Sequence, residues 1–382
     1  MGPPLLLDKS GLQALPQRLL LTLSRYYLLV VPPILVLEVL GDLLKTRQGG
    51  KEWMRMLSEK IRSTRFFVNL DHRDLRVASL RGKPVTMDGR PVIESEEFDT
   101  SLGKAALISE TEEHMRLLRW GFEKPTALDE QSANEWKQAI VSVNLEKAKA
   151  HLKLSNPEFP RVKSFAELGN AVDGLLRFTD QRVALEMCLE DAHIEDDLRK
   201  EVRTRWEKDQ SQKLWAFAPY AYHCFRIRML FHLGLANDLV TTRSSNTADL
   251  IYLYYVPFCN VFSSNDKLHD NFAPLVSRPD QYFIRTDLLR SDFEAIEMFW
   301  AHLSLEQKRM WFDRFGHWPP RNGGSFTYRM WMRKMKLPEG LRRGNALKKM
   351  SPEAKQKLDK HVKEVMQQFR EIQEQARHAP PK

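Results

Sequence analysis

The rhythm of apolar and polar positions changes several times along the chain. Residues 4–45 alternate short apolar runs with stretches of helical period. "PLLLDKS" is a brief apolar run ending in an acid, the pattern of a buried parallel strand. "LPQRLLLTLSRYY" carries an apolar stripe, and "LLVVP" is a second short strand. "PILVLEVLGDLLK" opens on Pro33, which suits a first helical turn.

Residues 46–105 change character after Gly49-Gly50. "TRFFVNL" reads as a strand, and Asp88-Gly89 between β-branched runs signals a hairpin in "KPVTMDGRPVIES". From 108 to 236 the period is helical. Ser109 and Glu112 form a capping box on paper. "SANEWKQAIVSVNLEKAKAHLKL" reads as one long helix, and "YAYHCFRIRMLFHLGLA" is apolar on most faces and expected to be buried. Residues 237–290 return to strand–helix alternation: "NDLVTT" as a strand, a helix "TADLIYLYYVPF" capped by Asn246, a strand "CNVFSS", a helix in "NDKLHDNFAPL" and a strand "QYFIRT". These patterns define an α/β fold with a parallel sheet, split by a mainly helical insertion. The α/β part comprises 1–45 and 237–304, the insertion 46–236, and a basic helical region 305–382.

Charge sharpens the picture. The 382-residue chain has a net charge of +9, of which about +11 lies beyond residue 304. A basic segment of this kind predicts a polyanionic partner, most simply nucleic acid. Arg329, Arg333, Lys334, Lys336, Arg342 and Arg343 are the candidate phosphate contacts, with Phe326, Tyr328 and Trp331 interleaved for base stacking. Three scattered cysteines and no CxxC pair argue against a disulfide framework or the usual structural zinc site, and for a reducing, cytoplasmic setting. Pro32-Pro33, Glu38 and Asp42 interrupt the most apolar stretch, so no membrane span is expected.

Four acids occupy positions that strand–helix units bring together. Asp8 ends the first strand, Glu38 lies in an apolar helix, Asp249 begins another, and Asp266 follows a strand. Strand C-terminal ends and adjacent helix starts converge on one crevice in an open α/β sheet. Acids gathered there raise one another's pKa unless a cation neutralises them, and Mg²⁺ or Mn²⁺ takes carboxylate oxygens. Ser10, Asp42, Asn246, Asn265 and Asp270 are secondary candidates around them, and His269 lies close in sequence to Asp266.

In these motifs the chain resembles the PIN-like nuclease domains: a strand ending "LLLDKS", a strand–proline–helix unit "VVPPILVLEVL" with Glu38, a helix "NTADLIYLYY" with Asp249, and a strand leading to "NVFSSND" with Asp266. The likeness covers residues 4–45 and 237–290. It departs from the family in the roughly 210 residues between Glu38 and Asp249. It implies a three-layer α/β/α domain, a Mg²⁺- or Mn²⁺-dependent phosphodiester hydrolase, and RNA rather than DNA as substrate. The alternatives are a structure-directed DNA nuclease and a non-catalytic nucleic-acid-binding or scaffold protein on the same fold. The helical insertion is a candidate surface for a protein partner.

Overall fold

The computed structural model describes residues 2–45, 49–100, 103–108, 111–155, 160–209, 213–320 and 324–335. Its centre is a sheet of five parallel strands: β1 (Pro4–Leu7), β2 (Leu28–Val31), β3 (Phe66–Val68), β6 (Val261–Ser264) and β7 (Tyr282–Arg285). A separate antiparallel pair comprises β4 (Ser95–Thr100) and β5 (Gly103–Ile108). All residues of β1, β2 and β6 are buried, as expected of central parallel strands covered by helices. The strand order is β3-β2-β1-β6-β7. From β1 the chain builds outward to β2 and β3, then returns to β1's other side with β6 and β7. The order therefore reverses between β1 and β6. Ligands of open α/β sheets bind outside the carboxyl ends of the strands at such a point.

The alternation in residues 4–45 and 259–286 predicts β1, β2, β6 and β7 and the helices Gln17–Tyr26, Pro33–Gly41 and Lys267–Val276. Five expectations are corrected. The sheet draws on part of the segment assigned to the insertion, because β3 pairs with β2 at the edge and the helix Gly50–Arg62 connects them. Asp88-Gly89 is a turn without a hairpin. Gly89, at φ +87°, donates its N–H to Pro257 O and Arg278 reaches Met87 O, while Pro84 and Pro91 lack the N–H groups that pairing needs. Residues 237–245 form no strand, because the Leu239 and Val240 N–H groups turn back to Gly234 O. The long helix is two, Ala127–Ser142 and Leu145–Ser155, and Thr126 caps the first with Asp129 in a reciprocal box. Thr111, rather than Ser109, caps the helix Glu112–Trp120; Ser109 lies outside the described residues.

The insertion does not stand apart. Its buried side chains and those of the sheet form one continuous core. The helix Pro219–Ala236 packs on the helix Asn246–Tyr254, where Tyr220 Oη donates to Tyr254 O at 3.2 Å. His223 and His232 on the former helix are half-buried, and burial pushes both pKa values down to about 4. Both stay neutral when folded and gain protons more readily when unfolded. Their contribution to stability is complete above pH 6.5 and is lost as pH falls towards 4. Urea unfolding should show a loss of at least about 1 kcal/mol over that window, and His223→Gln should reduce it.

Candidate functional site

Asp8 and Asp266 follow β1 and β6, the two strands that flank the reversal of strand order. Register aligns Leu7 with Ser263, and this sets Asp8 beside Ser264. Asp8 is 3% exposed. Its carboxylate accepts from Gly11 N at 2.7 Å, Ser10 Oγ at 2.8 Å and Ser264 Oγ at 2.6 Å. Asp8 thus caps the helix Lys9–Ala14 while facing the crevice. A Cβ at Gly11 would lie 2.9 Å from that carboxylate and 2.8 Å from Thr286 Oγ1, so the approach requires glycine. Asp266 is also a cap, accepting from Leu268 N at 2.7 Å.

Glu38 and Asp249 enter from the helices Pro33–Gly41 and Asn246–Tyr254, which pack together. Glu38 accepts a short hydrogen bond from the Tyr252 hydroxyl. Asp249 accepts no hydrogen bond at its carboxyl from the described residues. Burial, together with Asp266, Glu38 and Asp8, outweighs His269 and pushes its pKa up to about 7. Burial also raises Glu38, assisted by Asp8 and opposed by Tyr252, Lys9 and His269. Burial would raise Asp8 too, but His269, the Ser264 hydroxyl and the Gly11 amide hold it below the usual carboxylate range. The four acids therefore share one electrostatic neighbourhood.

His269 lies at its centre with no exposed surface. Nε2 is 2.7 Å from Asp249 O, a group that only accepts, so Nε2 carries a proton. Ser264 has one hydroxyl proton, directed to Asp8, and its oxygen also accepts from Asp266 N at 2.9 Å. Nδ1, 2.8 Å from that same oxygen, must then donate as well. Hydrogen-bond bookkeeping makes the ring an imidazolium. Burial opposes that charge, but Asp8 and Asp249 prevail and raise the pKa to about 9.

The secondary candidates divide. Ser10 supports Asp8, and Asn265 Oδ1 accepts from Asp287 N at 3.2 Å, tying β6 to the end of β7. Asp270 pairs with Arg285 at 3.6 Å, on the rim. Asp42 binds Lys9 at 2.6 Å and Lys45 at 2.7 Å, so its charge is answered by lysines. Asn246 is not a helix cap: it lies within the helix and its Nδ2 donates to Thr241 O at 2.6 Å, bracing the preceding loop.

Sequence reasoning missed Ser264 and Tyr252 and gave His269 little weight. The signal for His269 was present. It lies on the buried stripe of its helix with Leu268, Phe272, Ala273 and Val276, where a polar side chain needs internal partners.

The insertion borders the site. Trp136 packs against Gly41, where a Cβ would lie 2.9 Å from the indole, next to the segment carrying Glu38 and Asp42. Glu146 accepts from the Thr242 hydroxyl in the loop leading to Asp249.

The basic region is partly committed elsewhere. Arg333 bonds to the Tyr282 hydroxyl and lies over its ring, and Lys334 pairs with Asp280 at 2.8 Å. Arg329 is exposed, while Lys336, Arg342 and Arg343 lie outside the described residues. Trp331 is not available to stack on bases. It is 6% exposed and donates from Nε1 to Tyr26 O at 2.8 Å.

Among the described residues, no group of three or more His, Cys, Asp or Glu side chains is arranged to hold a metal ion, and no helix is long and apolar enough to cross a membrane. No protein-family model, curated protein or solved structure matches the chain.

Proposed function

We propose that the chain is a divalent-metal-dependent nuclease of PIN-like type, acting on RNA in preference to DNA. One observation carries the reading: acids follow both strands at the reversal of strand order, and beside them Asp249 is a half-buried carboxyl without a donor among the described residues, pushed up by burial and by its acidic neighbours. In donor type the four acids suit Mg²⁺ or Mn²⁺, being all carboxylate oxygen with no soft ligand, but three of them would have to close on one point that they do not share in this structure. Asp8, Glu38, Asp249 and Asp266 would hold the ion. Bound there, it would lower the pKa of a water that attacks phosphorus. Ser10, Gly11 and Ser264 orient the Asp8 carboxylate, and Tyr252 orients Glu38.

A second reading is a non-catalytic nucleic-acid-binding or scaffold protein on this fold. It is favoured by the protein donors that already satisfy Asp8, Glu38 and Asp266, and by the cationic His269 among them.

The purified chain should cut single-stranded RNA with Mn²⁺ or Mg²⁺, and excess chelator should reduce the rate to background. Cleavage that persists in chelator overturns metal dependence; absence of cleavage with either metal favours the second reading. Removing residues 336–382 takes away most of the basic excess. It should weaken nucleic-acid binding and flatten its dependence on salt by several units of slope. An unchanged slope assigns phosphate binding to another surface.

A further inference from the structure

We infer that His269 is a positioning residue, whose bridge between Ser264 and the Asp249 backbone fixes where the site's carboxyls stand relative to one another. The inference rests on the nuclease reading. Each acid is linked to this bridge. Asp8 accepts from Ser264, whose oxygen lies 2.8 Å from His269 Nδ1. Asp266 donates its backbone N–H to the same oxygen. Asp249 offers its carbonyl to Nε2. Glu38 accepts from Tyr252, whose ring meets the imidazole edge-on at 5.7 Å. Two strands and two helices, from segments some 260 residues apart in sequence, are thereby referred to one side chain.

Packing alone would not select this residue. The ring sits against Phe262 at 4.9 Å, and a phenylalanine would fill the same volume without burying two nitrogens. The imidazole contributes two hydrogen bonds in opposite directions across the crevice. Groups outside a metal's own ligands commonly set affinity or rate by 10–100-fold in this way.

The test compares His269→Phe, His269→Asn and His269→Gln. Asn retains a polar group near the Nδ1 position and Gln one near Nε2, whereas Phe retains only the shape. The readouts are kcat and KM on a single-stranded RNA oligonucleotide, the Mn²⁺ concentration for half-maximal cleavage, and Tm. The expected result is a Phe variant that still folds, with a Tm lowered by loss of the imidazolium beside the buried Asp8, and kcat reduced about 10–100-fold. Its Mn²⁺ requirement should rise and KM should move by less than ~threefold. Asn and Gln should regain part of kcat despite a lower Tm. Activity that follows Tm across the variants overturns the inference, as does a Phe variant with wild-type kcat and Mn²⁺ requirement. If Phe does not fold, Asn and Gln decide: full activity in both refutes the bridge. A wild-type chain without metal-dependent cleavage refutes the nuclease reading itself, and this inference with it, before any variant is made.

Discussion

Asp8→Asn combined with Asp266→Asn should abolish metal-dependent RNA cleavage, lowering the rate by at least about a thousandfold, the equivalent of roughly 4 kcal/mol of transition-state stabilisation. Both acids cap helices, a role asparagine fills almost as well, so the helix starts should survive. The substitutions therefore remove charge with little change to local structure. Asp8→Asn does leave the His269 imidazolium without its nearest counter-charge, so far-UV CD and Tm belong beside the rate measurement. Unchanged cleavage in a folded double variant would eliminate these carboxylates as the catalytic centre.

The second large effect concerns the end of the described chain. Trp331→Ala should destabilise the protein by about 3–5 kcal/mol, seen as a lower urea midpoint, because it empties a filled core position. Trp331 packs edge-on to Tyr26 at 6.0 Å and Trp318 at 5.5 Å, and its indole N–H is satisfied by Tyr26 O. A base-stacking tryptophan would behave in the opposite way, with RNA affinity falling and stability unchanged. That outcome would remove the helix Phe326–Lys334 from the core and return it to the ligand.

The elements that could be read from sequence are those in which one physical signal dominates. β1 and β2 are buried on both faces and so appear as unbroken apolar runs, and β6 as the short apolar run that leads into Ser263 and Ser264. The helix Pro219–Ala236 is apolar on most faces because it packs against both the insertion and the sheet-covering helices. β3 was harder to place. Its Phe66 and Phe67 mark a strand, but nothing local says that it joins β2 rather than a neighbouring hairpin. Asp88-Gly89 misleads because hairpin chemistry and turn chemistry coincide there, and tertiary contacts to Pro257 and Arg278 decide between them. Among the site residues, the acids can be read from their position after strands and at helix starts. Their hydrogen-bond partners cannot, because Ser264 meets Asp8 only through a strand pairing between distant parts of the chain.

That pairing also governs how the chain can assemble. Emerging from a ribosome, β1 and β2 find each other early, but the other edge of β1 has no partner until residue 261 has been made. Through more than 200 residues of synthesis the future centre of the sheet is an open, wholly apolar border, the kind of surface that recruits chaperones or other nascent chains. Pairing β6 with β1 closes a loop of more than 200 residues, a long-range contact of the kind that slows folding, and packing of the intervening helices would shorten the chain to be closed.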